Sequence, residues 1–167
     1  MYSLFLLLHL LCAAIWVGLG VVTLLTDRFR GRSAGTLGEL YLMRSTLIYA
    51  AIMGNIGGIG ILITGPGLAG IEHLRWFAFS GAPWLAIKQL IFVIVLGMTF
   101  GLQVPMTKKV RARIAEEMAG AHATHGASDE LRSSFAQLVR ITHIMQILVL
   151  INVILGVLKP MFGAGAM

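Results

Sequence analysis

The hydrophobic positions of this 167-residue chain are gathered into four long runs that are separated by polar segments. The runs cover about residues 2–26, 41–64, 84–104 and 138–158. About 20 consecutive apolar residues are enough for a helix to cross a bilayer, so each run can span it. The pattern therefore predicts an all-α fold, an integral membrane four-helix bundle that forms a single domain over residues 1–167.

Composition supports the membrane assignment and limits the chemistry. Hydrophobic residues make up 57% of the chain and charged residues 12%, whereas soluble domains contain roughly 45–50% and about 25%. The composition therefore excludes a soluble globular protein. Cys12 is the single cysteine, which excludes a disulfide framework and a four-cysteine zinc or iron–sulfur site. Redox chemistry would thus need a bound cofactor.

The basic residues predict the orientation in the membrane. Only Arg75 and Lys159 lie on the side of the second loop and the tail, whereas ten basic residues lie in or beside the first and third loops: Arg28, Arg30, Arg32, Arg44, Lys108, Lys109, Arg111, Arg113, Arg132 and Arg140. The positive-inside rule then places the first and third loops in the cytoplasm and both termini outside. We expect a bacterial inner-membrane protein, in which the outer side is the periplasm. Topology explains the net charge of +6, so we expect the lipid bilayer as a partner and no nucleic acid.

The third loop and the second span add local predictions. Residues 105–137 should form a cytoplasmic helical extension and then a loop, with Ser128 as the N-cap of the last helix. His122 and His125 lie in this Gly- and Ala-rich loop and are expected to be solvated. In the second span, Gly54 and Gly58 have the spacing of close helix packing, and we expect the Asn55 amide to be buried between helices.

Two helical stripes collect the polar residues of the first and third spans. At 100° per residue, one stripe contains His9, Cys12, Trp16, Gly20, Thr23 and Asp27. The other contains Trp84, Lys88, Phe92, Val95, Thr99 and Gln103. Polar groups are costly in hydrocarbon, so both stripes should face protein, and embedded ionisable residues are functional candidates by default.

Depth decides which candidates can meet. His9 lies on the order of 12 Å below the outer end of its span, and Lys88 lies about 6 Å deep with a side chain that reaches roughly 6 Å further. These two residues can therefore share a site in the outer leaflet, unless Lys88 only snorkels to the interface. His143 is about 24 Å from the outer end. It would need its own site, or it is a polar residue at the cytoplasmic end.

The same residues carry a family resemblance. His9 with Trp16 seven positions later, and the run Trp84-Leu85-Ala86-Ile87-Lys88, resemble the HemJ-type protoporphyrinogen oxidases. The membrane domains of CopD copper-resistance proteins are similar in helix layout. The HemJ resemblance implies a haem b cofactor associated with His9 and Lys88, and Trp16 and Trp84 match as neighbours of that site.

Three hypotheses follow. The first is a b-type haem-binding membrane oxidoreductase that transfers electrons or oxidises a quinol or porphyrinogen. In it, His9 and Lys88 are the candidate metal ligands, His143 is the alternative ligand, and Lys88 could instead pair with a haem propionate. The second is a CopD-like copper or transport protein. The third is a non-catalytic accessory subunit of a larger membrane complex, or a homo-oligomer, that packs through its glycine-rich span.

Overall fold

Four long helices make up the protein in a computed structural model that describes residues 1–73, 77, 83–120 and 126–157. Helix α1 is Tyr2–Arg32, α2 is Leu37–Ile71, α3 is Pro83–Ala119 and α4 is Asp129–Val157, and each is long and apolar enough to cross a membrane. The chain is thus an all-α, multi-pass membrane four-helix bundle, as predicted. His122 and His125 lie outside the described residues.

The helices continue past the predicted spans at the end of the bundle that carries the basic loops, which we call the basic end. Helix α1 runs six residues beyond Thr26, and α4 begins nine residues before Leu138. Ser128 caps α4 as predicted, since its Oγ accepts from the backbone N–H of Leu131 at 3.2 Å. A separate core explains the extensions, because buried apolar residues of α2, α3 and α4 pack together there: Leu40, Met43, Leu47, Val110, Ile114, Leu131, Phe135, Leu138 and Val139.

A short π-helical turn, which is wider than an α-helical one, interrupts both α2 and α3. In α3 the π-helical turn Thr99–Gln103 ends two residues before Pro105. Proline lacks a backbone N–H and its ring clashes with the carbonyl four residues earlier, here that of Gly101, so the helix widens at that point. In α2 the π-helical turn is Met53–Gly58, where three glycines weaken the preference for a regular α-helix.

The order of the helices around the bundle follows from their neighbours. Helix α1 packs between α2 and α4, and α3 packs against α4 and, at the basic end, against α2. Helices α1 and α3 are therefore diagonal partners. At the other end, which we call the far end, the bundle is two helix pairs: residues 59–71 of α2 pack on α1, and residues 83–98 of α3 pack on α4. In the described part of the chain, residues 59–71 of α2 make no extensive backbone contact with α3 or α4, whereas α1 also contacts α4.

Both predicted stripes face protein. Trp16, Gly20 and Thr23 are buried on α1, Val95 and Gln103 are buried on α3, and the other stripe members are at least half-buried. These positions line the interior of the bundle, so the helical-period argument holds for both helices.

Asn55 corrects a prediction. Its side chain is exposed on the surface of α2 rather than buried between helices. The buried residues Met53 and Gly57 decide the orientation, because a residue two positions from each lies on the opposite side of the helix.

The prediction that Gly54 and Gly58 allow close helix packing is half right. A Cβ at Gly58 would lie 2.6 Å from the Trp16 ring, whereas Gly54 has open space around it.

Candidate functional site

His9 is held against α2 by a short chain of hydrogen bonds. Its Nδ1 lies 2.8 Å from Thr64 Oγ1, and the Thr64 hydroxyl donates to the carbonyl oxygen of Gly60 at 2.7 Å. A hydroxyl has one proton, so Thr64 can only accept from His9. The Nδ1 atom therefore carries the imidazole proton, and in the neutral ring Nε2 keeps its lone pair.

Small residues on α2 let α1 come close enough for this contact. A Cβ at Gly57 would lie 3.1 Å from the backbone oxygen of Cys12, and one at Gly60 would overlap the Cys12 sulfur. At Gly65 a Cβ would lie 3.6 Å from His9 Cε1. These glycines are covered by side chains of α1. Space for a bound molecule is therefore not between α1 and α2, and it has to be sought on the side of His9 that faces the other helix pair.

Lys88 belongs to that other pair. Its Nζ lies over Gly156 of α4, where a Cβ would come within 2.8 Å of it, and Asn152 Nδ2 donates to the Lys88 backbone oxygen at 3.2 Å. The Lys88 side chain therefore packs on α4 at a position where only a glycine leaves enough space. The charge of Lys88 acts electrostatically on His9. His9 and Lys88 thus belong to opposite helix pairs at the far end and lie within electrostatic range of each other.

The two tryptophans singled out with these residues differ in their surroundings. Trp16 is buried against Gly57 and Gly58, in a cluster with Met53, Val95 and Met145. No described group accepts a hydrogen bond from its buried Nε1 atom. Trp84 is half-buried near the start of α3, one turn before Lys88. Trp16 therefore offers an N–H donor in the interior about 10 Å along α1 from His9.

His143 lies in a different part of the interior. It lines a small cavity with Thr23, Thr46, Gln103 and Thr142, and the volume of about 10 Å³ has room for about one water molecule. Its Nε2 atom is buried and has no described hydrogen-bond partner. Thr23 is 14 residues from His9 on α1, which corresponds to about 21 Å along the helix. The structure places His9 and Lys88 within electrostatic range of each other and His143 apart from both.

Sequence reasoning missed a buried ion cluster at the basic end. Glu39 is fully buried, and Arg132 holds its carboxylate with two nitrogens, at 3.0 Å from Nε and 2.9 Å from Nη2. The Gly35 backbone N–H donates to the same carboxylate at 3.0 Å, and Arg30 lies 3.5 Å away. Burial would raise the pKa of Glu39, but the hydrogen bonds from Arg132 and Gly35 outweigh it and lower the pKa.

A signal for this cluster was present in the sequence. Thr36 and Glu39 have the spacing of a capping box at a helix start, and α2 does begin at Leu37 with Thr36 as its N-cap. Glu39 reaches back to Gly35, one residue before the usual partner. Read as a helix start, the motif would have placed a carboxylate at the basic end, beside the arginines of the first loop.

The fold defines a class: an all-α, multi-pass membrane protein of four helices. Comparisons with protein-family models, with curated proteins and with solved structures found no match. Within the described ranges, no three His, Cys, Asp or Glu side chains form a metal-binding group. A porphyrin supplies four of the iron ligands itself, so haem needs only one or two from protein.

Proposed function

We propose that this protein binds haem b at the far end of the bundle and transfers electrons there, with a quinol or porphyrinogen as the electron donor. The observation that carries the proposal is the chain from His9 to Thr64 to Gly60. A histidine that ligates a metal donates its other ring N–H to a neighbouring oxygen, which fixes the ring and makes the ligating nitrogen more basic. His9 has this arrangement, and Nε2 is the nitrogen left to bind iron.

Lys88 supports the proposal from the opposite helix pair. It follows the start of α3 by five residues, about 7.5 Å along the helix, so its ammonium can stay near the polar interface and remain charged. In this function the Lys88 ammonium would pair with a haem propionate. The Trp16 N–H would be a second hydrogen-bond donor to the molecule bound inside the bundle. Haem when bound supplies one-electron chemistry. The protein holds, orients and shields it.

The orientation belongs to the same proposal. With the basic end in the cytoplasm of a bacterial inner membrane, His9 and Lys88 lie in the periplasmic half, and both termini are periplasmic. A quinol dissolved in the bilayer would reach such a site from the lipid, between the two helix pairs.

An absorption spectrum of the purified full-length protein, with and without dithionite, tests the function. We expect a haem b spectrum that sharpens on reduction in the wild type. Thr64→Val removes the hydroxyl and keeps the side-chain shape, so haem affinity should fall by about 10- to 100-fold. Thr26→Val is the matched control, because Thr26 also donates to its own helix, at Val22, but lies 17 residues from His9 on α1. A wild type without haem after expression with ample haem would refute the proposal.

A second candidate function has one observation in its favour. Asn55 exposes an amide in the middle of an apolar helix face, where hydrocarbon cannot satisfy its hydrogen bonds. A subunit of a larger membrane complex, or a homo-oligomer, would cover such a group. For that function we expect Asn55→Leu to reduce the size of the particle in lipid nanodiscs, measured by light scattering. An unchanged particle size would remove the support for it.

A further inference from the structure

A groove lies between α3 and α4 at the basic end, with a volume of about 170 Å³. Met106, Lys109 and Val110 line it from α3, and Ser134 and Gln137 line it from α4. Val110 is buried and Met106 is half-buried, whereas Lys109 and Gln137 are exposed. The groove therefore combines an apolar floor with a rim of hydrogen-bond donors and one positive charge.

The depth of the groove corresponds to the lipid headgroups. The predicted third span ends at Val104, so Met106 and Lys109 lie about 3 and 7.5 Å beyond the hydrocarbon. On α4, Gln137 directly precedes the predicted fourth span, and Ser134 is about 6 Å from its start. The headgroup region of a bilayer adds roughly 5 to 7 Å on each side of the hydrocarbon core. Both walls of the groove thus lie at the level where lipid phosphates are found.

The charge around the groove is positive and not neutralised. Lys109 forms no ion pair with a described residue, and neither does Arg140, which follows Gln137 by three positions and is exposed. One turn beyond Lys109, Arg113 pairs with Glu130 at 3.1 Å and connects the two helices. Glu130, the acidic residue of α4 next to the groove, is thus paired with Arg113. Because Glu130 is paired elsewhere, the charge of Lys109 is available to attract an anion.

We propose that this groove binds an anionic phospholipid. Lys109 pairs with the phosphate, and the Ser134 hydroxyl and the Gln137 amide donate to its oxygens. The acyl chains run from Met106 along the apolar surfaces of α3 and α4 into the bilayer. A basic pocket between membrane helices on the cytoplasmic side has the chemistry that recognises such headgroups. A phosphate group is common to lipids and to soluble phosphate esters, but the apolar floor and the depth assign the groove to a lipid.

The test uses the full-length protein and native mass spectrometry with phosphatidylglycerol, and with phosphatidylcholine as the neutral lipid. We expect phosphatidylglycerol to remain bound and phosphatidylcholine to be lost. Lys109→Gln should lower phosphatidylglycerol binding by about fivefold, the effect of one basic residue near the surface. Lys108→Gln is the matched control, since Lys108 is an exposed neighbour on the same helix that does not line the groove. It should leave binding unchanged.

A second variant and a second ligand complete the experiment. Ser134→Leu keeps the net charge but fills the groove and removes a donor, so it should also lower binding. Lys109 and Lys108 are exposed, so neither glutamine variant should alter the fold, which circular dichroism checks. Equal losses in both lysine variants would mean diffuse surface charge and would overturn the proposal. Displacement of the lipid by an equal concentration of glycerol phosphate would overturn the assignment to a lipid.

Discussion

Replacing Glu39 by leucine should unfold the basic end of the bundle at a lower temperature. Glu39 is fully buried, and the substitution takes the carboxylate away from Arg132, Arg30 and the Gly35 N–H together. Removing one partner of a buried ion pair costs about 3–5 kcal/mol, because the remaining charge stays unpaired. The Arg132 side chain is 33% exposed, so water can solvate it in part. We therefore expect the lower end of that range, about 3 kcal/mol.

Thermal unfolding of the purified protein in detergent measures the effect. About 3 kcal/mol corresponds to a decrease in Tm of about 6–12 °C for a chain of this size. Glu130→Leu is the control. Its carboxylate pairs with Arg113 but the side chain is 81% exposed, and exposed pairs contribute at most about 1 kcal/mol. If Glu39→Leu lowers Tm no more than Glu130→Leu does, the cluster does not stabilise the bundle and the reasoning is wrong.

Three further predictions follow from the same contacts. The pKa of Glu39 is lowered in the folded protein, so its carboxylate stabilises the fold above its unfolded pKa of about 4.3. That stabilisation is lost as the pH falls through the folded pKa. Tm of the wild type should therefore drop on acidification below about pH 4.3, and it should drop less in Glu39→Gln. Gly58→Ala should destabilise the bundle by about 1–3 kcal/mol, since its Cβ would meet Trp16, whereas Gly54→Ala, with open space, should not; equal unfolding temperatures would contradict the packing of α1 on α2. Reporter fusions should report a periplasmic C-terminus, and a cytoplasmic one would reverse the proposed orientation.

The fold could be predicted because it depends on one strong signal. Four apolar runs of membrane length leave little choice of architecture, and the helical period correctly turned both polar stripes inward. That His9 and Lys88 share one site stays a prediction, which helix rise supports because it fixes depth in a bilayer. The continuation of α1 to Arg32 was not predicted, because hydropathy marks only the part of a helix that lies in the membrane.

Other parts of the site depend on tertiary geometry that the sequence does not encode locally. Thr64 is one of several threonines that bond to their own helix, and its contact with His9 exists because α2 is rotated to face α1. Asn55 shows the opposite error, since polarity indicated the interior while Met53 and Gly57 turned it outward. In both cases the rotation of α2 decided the outcome, and a π-helical turn in the middle of that helix makes the rotation hard to predict.

The central claim is that His9 Nε2 binds haem iron, and rescue of a His9→Ala variant by imidazole tests it most directly. The substitution leaves a space the size of the lost ring beside Thr64, which free imidazole can occupy as a replacement ligand. We predict that His9→Ala purifies without haem, that added haem with imidazole restores the wild-type spectrum, and that His143→Ala keeps its haem throughout. Full haem in His9→Ala without imidazole would contradict the account.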